Sequence, residues 1–237
     1  MRRMSWNEWR VAGWVAAAAL AVLLIATSVR IAANSLPLYE ALFERHGVSE
    51  RTGITPEGLS GVGRDIQAYF NSDEEPLRVT AEVYGVERGL FTEAEVSHMA
   101  DVKQMFRRTY RAQGTAALLL AALTAAAIWR FRGGVYVVLA QWMRRGAVAT
   151  ASFVLLVGLL SLVAFDALFT TFHYLGFPQG NWAFDPRTSY LVQVFPLGFW
   201  QDATVMIGAM SLLGSAALWT VGFATPALLR RPPRRED

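Results

Sequence analysis

Four long stretches of the chain contain no charged side chain, and they limit what the chain can fold into. They are residues 11–29, 112–129, 146–165 and 203–225. About 20 helical residues match a hydrocarbon core about 30 Å thick, so each stretch is a candidate for a helix that crosses a bilayer. The stretches predict a membrane protein of the mainly α class, built as a four-transmembrane-helix bundle.

The first of these stretches also resembles the start of a signal peptide. Basic residues precede it, and Ala26, Thr27 and Ser28 have the character of a cleavage site. The apolar core of a signal peptide is usually shorter, about 7–15 residues. We therefore expect an uncleaved first helix.

The distribution of basic residues predicts an orientation for the bundle. Half of the 22 lysines and arginines lie in residues 1–10, 130–145 and 226–237, where acidic residues are few. Basic residues favour the cytoplasmic side of a membrane. Both termini and the middle loop are therefore expected in the cytoplasm, with residues 31–111 and 167–202 on the outer face.

These arguments divide the chain into eight parts. In order they are the N-terminal tail and first span (1–30), an extracytoplasmic domain (31–111), the second span (112–129), a basic cytoplasmic loop (130–145), the third span (146–166), a structured outer loop (167–202), the fourth span (203–225) and a cytoplasmic tail (226–237). Within the basic loop, the apolar residues 133–143 are too short to span. They predict either an interfacial helix or a continuation of a membrane helix.

The extracytoplasmic domain shows several local patterns. A short amphipathic segment at 38–43 is followed by a Gly-, Ser- and Thr-rich part, 47–63, that predicts mostly loop, with a possible helix start at Thr55. Residues 77–86 alternate loosely and favour a short strand or hairpin. Thr92 and Glu95 have the spacing of a capping box, which predicts a helix running from Glu93 into the second span.

Several classes of site are excluded or disfavoured. The chain has no cysteine, which excludes thiolate nucleophiles, disulfides and cysteine-based zinc sites. It contains no phosphate-binding loop, dinucleotide fingerprint, GxSxG or HExxH pattern. The basic residues are accounted for as membrane anchors, so the high isoelectric point does not predict a nucleic-acid partner.

The three histidines are the main candidates for chemistry. His46 lies in a polar loop and is interpreted as a solvated surface residue. His98 shares a helical face with Asp101, which could fix its tautomer. His173 follows the third span. The predicted topology places His98 and His173 on the same side of the membrane, which favours a two-histidine base. The alternatives are an ordinary helix-face histidine and an interfacial histidine bonded to a backbone carbonyl.

Other polar residues near these histidines have more than one interpretation. His98, Asp101, His173 and Asp185 could ligate zinc, but the known ligand spacings are missing and no metal is expected. Asn181 and Trp182 carry donors that could hold a carbonyl oxygen or an oxyanion. Ordinary turn chemistry and an interfacial tryptophan explain them equally well.

Three sequence segments carry a family resemblance. They are HMADVK at 98–103, FHYLGFPQGNWAFDP at 172–186 and FPLGFWQDA at 195–203. With the order of spans and loops, they resemble the lipoprotein intramolecular transacylase (Lit) family of bacterial four-span integral membrane proteins.

The resemblance implies a function and a site. It implies an acyltransferase of the cell membrane that moves the sn-2 acyl chain of a diacylglyceryl-cysteine to its α-amino group, giving the lyso form. His98 and His173 would be the catalytic pair on the outer face, without cofactor or metal. The implied partners are a diacylated lipoprotein and membrane lipid. The alternative is a non-enzymatic membrane protein whose outer domain binds a lipid or protein partner.

The pair of histidines sets a geometric requirement. His98 precedes the second span by about three helical turns, or about 20 Å along a straight helix. We expect the two rings within a few ångströms of each other. The helix must therefore bend, or the outer loop must rise to meet it.

Overall fold

The structure, a computed structural model, describes residues 6–229, with side chains described for 9–225, and is mainly helical. The elements in chain order are α1 (Trp6–Ala33), α2 (Leu36–Arg45), α3 (Val48–Thr52), α4 (Pro56–Asn71), β1 (Thr80–Val83), β2 (Val86–Gly89), α5 (Glu93–Phe131), a 3₁₀ turn (Arg132–Gly134), α6 (Val135–Gly176), α7 (Tyr190–Val194) and α8 (Leu197–Leu229). The predicted mainly α class is confirmed.

Long apolar helices dominate the chain. By length and composition, the described segments able to cross a membrane are Trp9–Ala33, Glu93–Gly176 and Leu197–Thr225. The second of these contains α5 and α6, joined by the 3₁₀ turn. Large apolar side chains such as Leu162, Val163 and Leu213 are exposed along these helices, as lipid-facing side chains are.

The chain divides into two compact units. The first consists of the described parts of residues 1–28, 110–157 and 207–237, and the second of residues 29–109 and 158–206. The first unit packs around buried Ala16, Ala127 and Trp142. Small residues allow its helices to approach closely: a Cβ atom on Gly146 would lie 2.7 Å from Leu20.

The second unit has a core like that of a water-soluble domain. Four aromatic rings, 5.0–6.1 Å apart, lie at its centre: Tyr39, Phe43, Phe195 and Phe199. Tyr39 and Phe43 belong to α2. Phe199 lies at the beginning of α8, and Phe195 lies two residues before α8 begins. The hydrophobic effect therefore holds residues that are far apart in the sequence in one unit.

Residues 47–63 are more helical than expected. The structure has α3 and the first half of α4 there, so the prediction of a mostly loop segment is wrong. Thr55 caps α4 by accepting a hydrogen bond from the backbone nitrogen of Gly58, as its position before Pro56 indicated. The glycines of α4 differ in their surroundings: a Cβ on Gly58 would lie 2.8 Å from Ile54 and one on Gly63 3.1 Å from Leu36, whereas one on Gly61 would have nothing within 4 Å.

The predicted hairpin is present. β1 and β2 pair antiparallel, with Val83 opposite Val86. The two residues between them, Tyr84 and Gly85, have φ values of 49° and 81°. A two-residue turn with positive φ at both positions matches the twist of the strands, and glycine adopts that conformation without strain.

The expected loops at 130–145 and 167–202 are largely helical. Only the 3₁₀ turn separates α5 from α6, so residues 133–143 mostly continue a membrane helix, one of the two alternatives considered. α6 extends to Gly176, with a break in helical geometry at Ala164 (φ −149°, ψ 51°). α8 begins at Leu197. The irregular part of the outer loop is therefore shorter than predicted.

The predicted capping box at the start of α5 is present and has a second role. The Glu95 carboxylate accepts hydrogen bonds from the backbone nitrogen and the hydroxyl of Thr92. Its other oxygen accepts from the Ser189 hydroxyl and from the backbone nitrogen of Leu191, at 3.0 Å. Glu95, only 1% exposed, therefore fastens the beginning of α7 to the beginning of α5.

A second buried charged residue on α5 organises the connection between α4 and β1. Lys103 is 1% exposed and donates to the carbonyl oxygen of Glu74. Its ammonium lies 3.4 Å from the Glu75 carboxylate and 3.9 Å from the centre of the Tyr69 ring. Burying this charge is possible because all three partners are negative or electron-rich.

We predict that Glu95→Ala lowers the free energy of unfolding by about 2–4 kcal/mol, because it leaves the buried donors of Ser189 and Leu191 without partners. Thermal unfolding of the purified protein in detergent measures the loss. Glu93→Ala is the control, because Glu93 is exposed in the same helical turn. Equal unfolding temperatures for the two variants would contradict the assignment.

Candidate active site

The structure brings His98 and His173 together. The centres of their rings are 6.0 Å apart, with an angle of 30° between the ring planes. Both residues are buried, with 6% and 8% of their surface exposed. The expected proximity is therefore observed, and it arises because α6 extends beyond Phe165 to carry His173 to His98. At this separation the rings stack loosely, so each can contact a different atom of a third molecule.

Aromatic side chains enclose the pair. His173 lies 4.1 Å from the Phe169 ring and 5.0 Å from the Trp182 ring, measured between centres. The Phe177 ring is 4.8 Å from His98 and 5.4 Å from His173. Apart from Trp182, these aromatic residues were not predicted from the sequence as part of the site. The run of aromatics around His173 was the available signal.

The hydrogen bond of His173 determines its tautomer. Nδ1 lies 2.8 Å from the carbonyl oxygen of Phe169, one helical turn earlier. A carbonyl oxygen only accepts, so Nδ1 carries the hydrogen and donates. In the neutral ring, Nε2 then has the free lone pair. One of the alternatives from the sequence, a histidine bonded to a backbone carbonyl, is observed, and it leaves the other nitrogen available as a base.

His98 has an unused polar atom. Its Nδ1 is buried and has no hydrogen-bond partner in the described part of the chain. A buried polar atom without a partner costs free energy, so such atoms in folded proteins are usually satisfied by a ligand or water.

Burial makes both imidazoles weaker bases. The two residues lie outside the uncharged stretches 112–129 and 146–165. Burial, followed by the neighbouring His173, lowers the pKa of His98 from 6.5 to about 4, and Asp101 opposes this. Burial also lowers the pKa of His173, against the effect of its bond to Phe169. Both rings are therefore neutral at pH 7, the state that can accept a proton.

Asp101 has different partners from those expected. It was predicted to orient His98, but its Oδ2 accepts hydrogen bonds from the side-chain amides of Gln179 at 2.6 Å and Asn181 at 2.8 Å. The helix does place Asp101 near His98, as the effect on the pKa indicates. The carboxylate instead holds the outer loop against α5, because two amide donors reach it from that loop.

Asn181 and Trp182 lie in the site, with distinct polar functions. The Asn181 nitrogen faces Asp101 and, at 3.5 Å, the Ser97 hydroxyl. Its Oδ1 is buried without a partner, and so is Nε1 of Trp182. The expected role as a donor to a carbonyl oxygen is therefore available to Trp182. For Asn181 it must be corrected, because the donor nitrogen is already occupied.

Asp185 is not part of the cluster. Its carboxylate is paired with the Arg187 guanidinium at 2.7 Å and accepts a bond from the backbone nitrogen of Arg187. The side-chain hydrogen bond from Arg187 lowers the pKa of Asp185. The sequence also makes Asp185 a candidate for binding or orienting a substrate, and that role stays a prediction; in this structure the exposed carboxylate stabilises the turn before α7.

His46 is not a free surface residue, contrary to its interpretation from the sequence. Its Nε2 lies 2.9 Å from the Asp202 carboxylate, which also pairs with Arg45 at 3.0 Å. The ring packs so closely on α8 that a Cβ atom on Gly198 would lie 2.6 Å from it. His46 therefore connects α2 to α8, and it has no ring contact with the histidine pair.

The site contains polar atoms suited to a reacting organic molecule. In the part of the chain that the structure describes, no three His, Cys, Asp or Glu residues cluster so as to hold a metal ion. Five buried side-chain nitrogen or oxygen atoms lack a hydrogen-bond partner there, and three of them belong to this site: Nδ1 of His98, Oδ1 of Asn181 and Nε1 of Trp182.

Comparison with known proteins gives consistent results. The model of the family "Lipoprotein intramolecular transacylase Lit" matches residues 14–200. An uncharacterized protein of Aquifex aeolicus is 25% identical over 131 residues, which are 55% of this chain. The chain spans 56% of the length of that relative. The family whose model matches is the one that the sequence resembles.

Solved structures share the fold. The membrane integral lipoprotein intramolecular transacylase Lit of Bacillus cereus superposes with a TM-score of 0.80 at 15% identity, covering 95% of this chain and 99% of that one. A form of the same protein with one histidine replaced by arginine gives a TM-score of 0.77 at 15% identity, covering 94% of each chain.

We predict that His98 makes the stability of the protein sensitive to acid. Between pH 6.5 and about 4, the unfolded chain binds a proton at His98 and the folded chain does not, so this contribution is complete above pH 6.5 and is lost as the pH falls. Unfolding temperatures measured across this range should fall less steeply for His98→Phe than for the parent. Parallel curves for the two proteins would contradict the lowered pKa.

Proposed function

Because this chain belongs to the lipoprotein intramolecular transacylase family, we propose that it transfers an acyl chain within one lipoprotein molecule. The sn-2 acyl chain of the diacylglyceryl-cysteine moves to the α-amino group of the same cysteine and leaves the lyso form. The observation that carries this proposal is the pair of histidines, with three buried polar atoms in the site, one of them on His98, that have no partner within the described chain.

The proposed base is Nε2 of His173. The attacking amine must lose a proton as its nitrogen bonds to the ester carbon. Donation from Nδ1 to the Phe169 carbonyl supports this role, because it leaves the lone pair on Nε2. Donor and acceptor belong to one substrate molecule, so positioning supplies much of the rate and no acyl-enzyme is required.

We assign the second proton transfer to His98. When the tetrahedral intermediate collapses, the bond between the carbonyl carbon and the glyceryl oxygen breaks, and that oxygen must gain a proton. Both rings start neutral, so the proton that His173 takes from the amine passes to His98 and from there to the glyceryl oxygen. The lowered pKa of His98 supports this delivery, because its protonated form is a strong donor, and both rings end neutral.

Trp182 is the proposed donor to the developing oxyanion. Its Nε1 is buried without a partner, and its ring lies 5.0 Å from that of His173. A preorganised donor in a water-excluded site stabilises the negative oxygen of the intermediate more than that of the substrate. The step as proposed needs neither metal nor cofactor.

Substrate access requires movement of the outer loop. The three unpartnered atoms are closed off from solvent, so an ester reaches them only when residues 177–184 shift. The bonds from Gln179 and Asn181 to Asp101 are polar ties that such a shift loosens. We propose that binding the acyl chains opens this loop and that it closes again over the reacting groups.

The proposed orientation follows the arginines. Residues 1–30, 112–129, 146–166 and 203–225 contain the four spans, with residues 31–111 and 167–202 on the outer face and residues 130–145 and 226–237 in the cytoplasm. The reaction then occurs on the outer side of the bacterial cell membrane, where the lipid chains of the substrate are anchored.

We predict that His98→Ala and His173→Ala each lower the rate of transfer at least about 100-fold, the usual contribution of general acid or base catalysis. The assay is purified protein in lipid with a diacylglyceryl lipopeptide, and mass spectrometry measures the N-acyl lyso product. His46→Ala is the control and keeps the activity. Near-parental rates from either of the first two variants, with the fold intact, would refute the pair.

We predict that Trp182→Phe lowers the same rate about 10- to 100-fold without reducing binding of the lipopeptide, because it removes one donor to the oxyanion and keeps an aromatic ring. Trp129→Phe is the matched control, since Trp129 is an exposed tryptophan. If Trp182→Phe transfers as fast as Trp129→Phe, the oxyanion is stabilised by another group.

A further inference from the structure

We propose that Asn181 accepts a hydrogen bond from the attacking amine and so makes the site select a primary amine as acyl acceptor, with Asp101 as the residue that positions it. This inference rests on the proposed function, and it assigns the substrate contact that the histidines and Trp182 leave open.

The partner of the Asn181 amide determines its orientation. Its side-chain nitrogen lies 2.8 Å from Oδ2 of Asp101. A carboxylate has no hydrogen to donate, so the nitrogen and not the oxygen of the amide must face it. The Ser97 hydroxyl, 3.5 Å from the same nitrogen, is a second acceptor.

The side-chain oxygen of Asn181 is left without a partner. With both amide hydrogens directed at α5, Oδ1 faces away from these partners, and it is buried without a hydrogen bond in the described part of the chain. Leaving a carbonyl oxygen buried and unpaired is unfavourable. A group of the substrate that donates a hydrogen bond removes this cost.

The position of Oδ1 of Asn181 relative to the histidines follows from its neighbours. Asn181 is hydrogen-bonded to Asp101, which lies near enough to His98 to act on its charge, and the next residue, Trp182, contacts the His173 ring. We infer that the acceptor lies beside the catalytic pair. A donor bound there is next to the groups that remove its proton.

The chemistry of the nucleophile then gives the selectivity. A primary amine has two hydrogens on nitrogen: one goes to His173 as the nitrogen–carbon bond forms, and the other is donated to Asn181. The bond to Asn181 strengthens as the nitrogen becomes positive in the intermediate. A hydroxyl group has only one hydrogen, so it cannot satisfy both groups and is a poorer acyl acceptor at this site than a primary amine.

The test combines a change in the substrate with a change in the protein. The substrates are a diacylglyceryl lipopeptide with a free α-amine and the same lipopeptide with an N-methylated α-amine, which has one hydrogen fewer. Transfer rates are measured for the parent, for Asn181→Leu, which keeps the bulk and removes the acceptor, and for Asn71→Leu, a control at an exposed asparagine of α4.

In the parent and in Asn71→Leu, we expect N-methylation to slow transfer about tenfold more than it does in Asn181→Leu, which corresponds to one hydrogen bond. Asn181→Leu should slow transfer of the unmethylated substrate by a similar factor. If the effects of methylation and of Asn181→Leu simply multiply, the amine does not contact Asn181 and the inference is overturned.

A second variant keeps the test decisive if Asn181→Leu does not fold. D101N/N181D exchanges the carboxylate and the amide, so an oxygen acceptor remains at position 181. It should keep the parental sensitivity to N-methylation, and loss of that sensitivity in the folded exchange variant would also overturn the inference. Failure of the proposed function is a different result: the parent then forms no N-acyl product from the unmethylated substrate.

Discussion

Two carboxylates on the first turns of α5 hold the outer loop against the helix that carries His98. Glu95 binds the beginning of α7 through Ser189 and Leu191, and Asp101 binds Gln179 and Asn181. The outer loop has few backbone hydrogen bonds of its own, so its position depends on these two side chains. Because His98 lies between them on the same helix, these bonds hold the loop against the helix that carries His98. The aromatic core of the second unit adds the apolar part of that attachment.

The proposed chemistry depends on the buried polar atoms that have no hydrogen-bond partner within the described chain. Most buried polar groups in a folded chain have partners, and those of Glu95 and Lys103 are examples. Around His98 and His173, three buried atoms have none within the described chain. They differ in kind: a ring nitrogen, an amide oxygen acceptor and an indole donor. That set matches an amine attacking a carbonyl, in which one group loses hydrogens and another gains negative charge. The enclosing aromatic rings keep both histidines buried, which in the proposed reaction limits the access of water as a competing nucleophile.

The sequence predicted the long helices, the capping box of Thr92 and Glu95, the hairpin and the histidine pair, because each depends on local spacing or on the distribution of charge. It did not predict the partners of side chains that meet across long sequence separations. Asp101 shares a helical face with His98. Nothing in the spacing showed that the side-chain amides of residues 179 and 181 would donate hydrogen bonds to its carboxylate. His46 was misjudged for the same reason, since its partner Asp202 is 156 residues away. Residues 47–63 were underestimated as helix because their glycines lower helix propensity, whereas burial of Leu59 and Val62 in the core of the second unit stabilises α4.

The claim that the acyl chain moves within one substrate molecule is tested most directly by a crossover experiment. Two lipopeptides of different mass, one with a deuterated sn-2 acyl chain and one unlabelled, are incubated together with the protein in lipid. Mass spectrometry of the N-acyl products then shows which peptide carries the label. The account predicts that the label stays on its original peptide as an amide and that the glyceryl group has lost its sn-2 chain. Labelled acyl chains on the other peptide, or free fatty acid without an N-acyl product, would contradict it.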